Sequence, residues 1–244
     1  ITIRVVSPTT GISFNPKNNY QIKVGPVYFA LTNPWAFKFG IEKDQLPRGN
    51  GLSLHSPTAY YYAMIKPLGN YSIKGMAWYQ GESNGDKPQY YHKLFSTLIQ
   101  SWRQHWQQPL PFLYVQLASY MQPKAQPAES SWAALREAQT QTLALPQTAM
   151  AVITDLGDIE DVHPRRKKPV AERLWLAARA VVYGEDLLYS GPVFKSMQAE
   201  GAQLRLSFDQ AGTGLSVQGE ELKGFAVAGA DGKYQNAQAR LDGR

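Results

Sequence analysis

The sequence predicts an α/β protein in which a parallel sheet carries helices on both faces and a β-rich tail follows. Three observations predict it. From residue 57 to residue 184 short apolar runs alternate with longer helical patterns, the signature of a parallel sheet with crossover helices. The helical stretches place apolar residues three and four apart. After Tyr183 the pattern turns to short alternating runs punctuated by Gly212, Gly214, Gly219, Gly229, Asp231 and Gly232.

Element by element, Ile1 to Val6 alternates as a strand does, and Gly25 to Leu31 reads as another. Pro, Gly and Asn fill the space between and after them, and residues 1–55 form an irregular, β-containing N-terminal segment. The core spans residues 56–184. Pro57 to Leu68 is predicted as a short helix with Pro57 in its first turn. Tyr71 to Tyr79 is a strand ending in Met76-Ala77-Trp78. Pro88 to Trp106 is the clearest helix, with Tyr91, Leu94, Phe95, Leu98, Ile99 and Trp102 on one stripe. Pro111 to Ala118 is a short apolar strand. Ser131 to Leu145 is a helix capped by Ser130 or Ser131. Ala149 to Thr154 is the next strand, and Pro169 to Tyr183 is a helix closed by Gly184. Residues 185–244 form the accessory β segment, with strands expected at Leu204–Phe208, Leu215–Val217, Gly224–Ala228 and Ala237–Leu241.

The composition sets bounds on function. The 244 residues are 43% hydrophobic and 18% charged, which is ordinary for a globular protein with a sizeable core. No run approaches the roughly 20 apolar residues of a membrane span, and no signal peptide opens the chain. With no cysteine there is neither a disulfide scaffold nor a thiolate metal site. The formal charge is +6, and one basic run stands out, Arg165-Arg166-Lys167-Lys168. No aromatic-basic nucleic-acid module accompanies it, so the run reads as a solvated loop and helix start. Neither a nucleic-acid nor a membrane partner is expected.

In a parallel sheet, reactive groups collect beyond the carboxyl ends of the strands. Two motifs sit there. The first is Trp78-Tyr79-Gln80-Gly81-Glu82-Ser83-Asn84-Gly85, whose inner part fits the nucleophile-elbow pattern G-x-S-x-G. Asp86-Lys87-Pro88 moves the helix start several residues past Ser83, whereas an elbow turns from nucleophile into helix almost at once. The second motif runs from Asp155 to Pro164. It holds His163 in a loop among four carboxylates, a setting that orients one ring nitrogen and raises the basicity of the other. His92 and His105 lie within a helix and read as surface or packing residues, and His55 is a weaker candidate. The acidic loop lacks the alternating calcium pattern, and no zinc motif is present, so no metal is expected. A third element, Leu135 to Gln139, puts Arg136 and Gln139 on one helix face, where Arg136 could clamp Glu82.

Taken together, these residues resemble the sialate O-acetylesterase family of SGNH-type hydrolases. The ordered matches are Tyr60 to Leu68, Ile73-Lys74-Gly75, Trp78 to Asn84, Leu113 to Leu117, Trp132, Leu135 to Gln139, Asp155 to Asp158, Asp161 to Pro164 and Tyr189 to Pro192. The resemblance covers about residues 57–235, and the ordered set is far more specific than any single motif. It implies a three-layer α/β/α SGNH-hydrolase-like core and a serine esterase that removes O-acetyl groups from sugars without a cofactor. It also implies that Gln80 helps stabilise the oxyanion, Glu82 shapes the site and His163 is the general base. Asp161 is the nearest carboxylate to orient His163, with Glu160 the alternative. Tyr79, Asn84 and Arg136 are the expected substrate-facing residues. An exported protein, periplasmic or extracellular, is the expectation for location.

One departure from the family pattern is large. The family's nucleophile belongs to a G-Q-S-N-type block near the start of the catalytic domain, and residues 1–56 hold no match. Ser7, Ser13, Ser53 and Ser56 lack its surroundings. Three explanations fit: the chain is one piece of a cleaved protein with the serine on a partner chain, a truncated product, or a natural variant without ordinary activity; the abrupt ends at Ile1 and Arg244 favour one of the first two. Two rival readings remain. One keeps Ser83 as nucleophile. The other is a non-catalytic carbohydrate-binding protein that stacks sugars on aromatics among Trp78, Tyr79, Tyr90, Tyr91 and Tyr120.

Overall fold

The computed structural model describes residues 58–242, together with the backbone of residues 21–24 and 27–30. The chain divides into two compact units, Ile1–Pro57 and Thr58–Arg244. In the first, strands β1 (Gln21–Val24) and β2 (Val27–Ala30) pair antiparallel, Gln21 opposite Ala30. The strand expected at Ile1–Val6, the helix start at Pro57 and the candidate His55 lie outside the described residues.

The second unit is built on three parallel strands in the order β3 (Met76–Trp78), β4 (Phe112–Val115) and β5 (Thr148–Ala151). Met76 pairs with Phe112, and Phe112 with Thr148. β3 is shorter than the expected Tyr71–Tyr79. Its partner strand opens after Pro111, whose carbonyl accepts the Met76 N–H at 2.8 Å and whose own nitrogen donates nothing. Gly75 lies so close to that carbonyl that a Cβ there would sit 3.1 Å from it.

Alternation along the strands divides the core by face. Phe112, Tyr114 and Met150 join Tyr91, Phe95, Ile99 and Trp102 of α1 (Pro88–Trp106) and Trp132, Leu135 and Ala138 of α2 (Ser131–Gln141). Leu113, Val115 and Ala149 point the other way, towards Val170 and Ala177 of α3 (Lys167–Val181). The result is helix, sheet, helix, the α/β class expected from the sequence.

α1 has the expected bounds, but Leu94 is exposed rather than part of the buried stripe. Ser130 caps α2, its hydroxyl accepting the Ala133 N–H at 3.2 Å. The segment expected as one helix up to Leu68 is instead a π-turn, Tyr61–Ile65, followed by a 3₁₀ turn, Lys66–Leu68. Pro67 is the physical reason, since its ring and missing N–H cannot continue an α-helix. The Lys66 N–H reaches back to the Tyr61 carbonyl. α3 begins two residues before the expected Pro169, and Gly184 follows it with φ +72°.

The tail is antiparallel. β6 (Val193–Glu200), which the sequence pattern did not single out, pairs with β7 (Gln203–Asp209). β8 (Ala226–Ala228) pairs with β9 (Tyr234–Asn236), just before the expected Ala237–Leu241. Leu215–Val217, expected as a strand, is irregular. Among the described residues, no helix is long and apolar enough to cross a membrane.

Candidate active site

The segments that leave β3, β4 and β5 meet beyond the carboxyl ends of the sheet. Two glycines let them approach. Gly81 turns out of β3 with φ +155°, a conformation that side chains rarely adopt. A Cβ there would also press on Leu117, Leu135 and Gln139 at 3.2–3.3 Å. Gly157, after β5, lies against the backbone of Ser119, after β4; a Cβ would fall 2.1 Å from the Ser119 carbonyl oxygen. The Ser119 hydroxyl donates to the Thr154 carbonyl at 2.7 Å and ties the same two loops.

Gln139 anchors the β4 exit from within α2. Only 1% of it is exposed. Its Oε1 accepts the Leu117 N–H at 2.9 Å, and its Nε2 donates to the Val115 carbonyl at 3.3 Å. The Tyr114 hydroxyl donates to the Gln139 carbonyl at 2.8 Å. Gln116 adds bonds to the Arg136 carbonyl and the Thr140 hydroxyl. Trp132 Nε1 donates to the Ala118 carbonyl at 2.8 Å. The Val115 and Ala118 carbonyls and the Leu117 N–H of this backbone turn are thereby matched by side chains, as burial requires.

Gln80 follows β3 and is half-buried. Its Nε2 donates to Asn84 Oδ1 at 2.8 Å. The Tyr91 hydroxyl donates to the Gln80 carbonyl at 3.0 Å, with Gln80 Oε1 at 3.4 Å. Burial pushes the Tyr91 phenol up to about 12; the Gln139 and Trp78 side chains pull it back in part, and the charge of Glu82 raises it further. Tyr91 is thus a neutral donor at ordinary pH. Gln80, Asn84 and Tyr91 line a cavity of about 150 Å³ with Trp78, Leu94, Phe95 and Leu98.

His163 sits on the loop after β5 with 80% of its side chain exposed. Asp161 Oδ1 accepts the His163 backbone N–H at 2.8 Å and lies 3.2 Å from Nδ1. That backbone bond, with help from the ring, holds the Asp161 carboxyl below its ordinary range. The carboxylate at the imidazole is therefore Asp161. Glu160, the alternative, gives its backbone N–H to Asp158 Oδ1 at 2.9 Å. Pro164 is fully buried directly after His163 and pins the loop. Asp155 is occupied elsewhere, by a two-pronged pair with Arg173 at 2.6 and 2.7 Å.

The remaining candidates divide. Tyr79 carries Lys167 Nζ over its ring at 4.9 Å, which joins the β3 exit to the start of α3. Burial raises the Tyr79 phenol, and the nearby Glu82 charge adds to it. Arg136 is half-buried, and desolvation pulls its guanidinium down. Among the described residues it forms no ion pair, so the clamp on Glu82 considered from the sequence is not made; the Arg136 backbone instead receives Gln116. Ser83 is exposed on a 3₁₀ turn, Glu82–Asn84, and α1 starts only at Pro88. No serine among the described residues is hydrogen-bonded to His163, whose bonds are to Asp161. The sequence reading missed Tyr91 and Gln139 as site-building groups. Tyr91 reads as a stripe residue and a candidate sugar-stacking aromatic, and Gln139 as a face neighbour of Arg136; a polar group on a buried helix face was the available signal.

Residues 49–174 match the family model described as carbohydrate esterase, sialic acid-specific acetylesterase. The chain is 37% identical over 203 residues to a sialate O-acetylesterase of Mus musculus, covering 74% of this chain and 36% of that protein. It is 34% identical over 200 residues to a sialate O-acetylesterase of Homo sapiens, covering 73% and 37%. The crystal structure of a carbohydrate acetylesterase from Xanthomonas citri superposes with a TM-score of 0.69 at 44% identity, covering 75% of this chain and 43% of that one. The chain thus spans a little over a third of the length of the curated relatives it matches. The family model takes in more than half of its residues, and the chain belongs to the sialic acid-specific carbohydrate esterase family.

Proposed function

We propose that this chain supplies the base and oxyanion-side groups of a serine carboxylesterase that removes O-acetyl groups from sugars. One observation carries the reading: an exposed imidazole beyond the end of a parallel sheet has Asp161 3.2 Å from its Nδ1, the arrangement in which the other ring nitrogen serves as base. The relatives named sialate O-acetylesterase and carbohydrate acetylesterase support it.

In the proposed reaction a serine hydroxyl attacks the acetyl carbonyl while His163 takes its proton. Gln80 and backbone N–H groups hold the oxyanion; losing one such donor costs about 100- to 1000-fold in turnover. The proton returns to the sugar oxygen as it leaves. Water, activated by the same histidine, then frees acetate. The nucleophile is supplied from outside the described residues, on a second chain in the reading favoured here. The same reading, through the family resemblance, makes the protein an exported one, periplasmic or extracellular.

A serine-directed fluorophosphonate label, located by peptide mass mapping of everything that copurifies, tests the proposal. The expected site is a serine of a G-Q-S-N-type block on a copurifying polypeptide. Label on Ser83, with acetate release lost in Ser83→Ala, would transfer the nucleophile to that residue. No label and no acetate release, with saturable sugar binding, would make the protein a carbohydrate-binding one.

A further inference from the structure

The three-stranded sheet has two edges, and they are finished differently. At one edge every residue of β5 is buried, as is every residue of the central strand β4. At the other edge Ala77 of β3 is exposed, and Met76 and Trp78 are only partly covered. A parallel sheet is normally enclosed, because its strands are apolar on both faces. The backbone of β3 is open as well. Met76 pairs with Phe112 and donates its N–H to the Pro111 carbonyl, so Met76 and Trp78 turn their backbone groups to β4. In a parallel ladder the residue between them sends its N–H and carbonyl the other way. Among the described residues, nothing pairs with Ala77 on that side. Met76-Ala77-Trp78 also carries no charge and no proline to guard the edge.

The surface beside that edge is the second observation. Tyr90 and Leu94 of α1 are 58% and 57% exposed, although Leu94 has the spacing of the apolar stripe of its helix. Leu94 and Asn84 are shared by two hollows, of about 150 and about 330 Å³, and the smaller reaches in to Trp78 and Phe95. An open strand edge and an uncovered apolar helix flank thus lie side by side, as in a domain core cut in two. The chain also spans only a little over a third of the curated relatives it matches, and among the described residues no serine is bonded to His163.

We infer that the free edge of β3 receives a fourth, parallel strand from the polypeptide that carries the nucleophile, with the serine directly after that strand. Direction follows from the sheet. His163 lies beyond the carboxyl ends of the strands, where Gln80 also leaves β3. A strand parallel to β3 ends at the same place, and the residue after it emerges among those groups. An antiparallel strand would end at the far side. Enclosed on both faces, the incoming strand is a run of about five aliphatic residues. Its main chain bonds to Ala77 and sets the register, while its side chains cover Trp78 and Leu94. This rests on the esterase reading for the identity of the residue after the strand. It goes beyond that reading by assigning the docking edge, the direction and the composition of the partner segment.

Crosslinking from position 77 tests the edge. The chain has no cysteine, so Ala77→Cys takes a benzophenone maleimide at one place. The protein is purified with everything that accompanies it, treated with a fluorophosphonate, irradiated and mapped by peptide mass analysis. The expected crosslink joins position 77 to an aliphatic run on another polypeptide, with the labelled serine directly after it. Ala77→Pro removes the outward N–H and leaves the Met76 and Trp78 bonds to β4; it should retain at least about tenfold less of the labelled polypeptide. Ala77→Val keeps the N–H and should retain it in full. Thermal unfolding separates lost docking from lost fold, and Leu94→Lys, on the exposed flank of α1, should show the same loss if Ala77→Pro does not fold. A crosslink to residues 1–57, to a second copy of this chain or to nothing would overturn the docking edge. A crosslinked aliphatic run with no reactive serine removes the esterase reading alone. A labelled polypeptide that crosslinks away from its serine, or that Ala77→Pro and Leu94→Lys retain unchanged, removes the edge alone.

Discussion

Asp161 Oδ1 accepts the backbone N–H of His163 at 2.8 Å and lies 3.2 Å from the Nδ1 of the same residue. One carboxylate oxygen thus fixes both the loop and the ring that the loop presents. The two residues are only two positions apart, so the orientation of the imidazole is a local property of the D-x-H-P turn.

That geometry predicts an ordering of effects on Asp161. Its carboxyl is held below the ordinary aspartate value of about 3.9, first by the His163 backbone N–H and then by the ring. A depressed acid contributes stability above its unfolded value and loses it as the pH falls through the folded value. Carbon-13 titration of Asp161 should show the low midpoint in the native chain. In His163→Ala the midpoint should rise only part of the way, because the backbone bond survives. A full return to the ordinary value would show that the ring, not the backbone, holds the carboxylate.

Tyr91→Phe should loosen Gln80. The lost hydroxyl donates to the Gln80 carbonyl at 3.0 Å and lies near its Oε1. Denaturant unfolding should show a loss of about 1 kcal/mol, the usual net worth of such a bond. The Gln80 amide should exchange faster with water. In the native chain Tyr91, raised to about 12, favours folding up to the ordinary phenol value of about 10. That contribution is lost as the pH rises through the folded value, and Tyr91→Phe should lack this alkaline limb.

Gln139→Leu keeps the volume but strips both side-chain bonds. The Val115 carbonyl and the Leu117 N–H would then be buried without partners. Each such group costs about 1–3 kcal/mol, so thermal unfolding should reveal one of the largest losses of any single α2 substitution. A neutral result would mean that water or a shifted backbone takes over those bonds.

Gly157→Ala should be severe and Gly184→Ala mild. The first places a methyl group 2.1 Å from the Ser119 carbonyl oxygen, and backbone cannot rotate away as a side chain can. The second meets no atom within 4 Å and bears only the cost of φ +72°, about 1 kcal/mol. Comparable destabilisation of the two variants in chemical denaturation would disprove the close approach of the β4 and β5 loops.

Much of the architecture was legible because it rests on local patterning. Tyr91, Phe95, Ile99 and Trp102 mark the buried stripe of α1 by spacing alone, and Ser130 announces α2. Leu94 shared that spacing yet faces solvent, since a stripe has edges and only neighbouring elements decide how wide it is. Pro67 and Pro111 cut a helix and a strand short for reasons that local sequence states but a periodic pattern overrides. β6 escaped notice because all eight of its residues are exposed, leaving no buried face to imprint an alternation.

By itself, then, the sequence determined the strand-helix order, the class of the sheet and the acidic loop that carries His163, while the structure chose Asp161 over Glu160 at its ring. Those depend on periodicity and on residues a few positions apart. Tertiary structure alone decided that Gln139 is a buried anchor rather than a solvated neighbour of Arg136, that Tyr91 holds Gln80, and that Lys167 reaches Tyr79. The last two span 11 and 88 positions along the chain. Only closure of the sheet brings such groups within bonding distance, and hydrogen bonds and ring contacts act over a few ångströms whatever the separation in sequence.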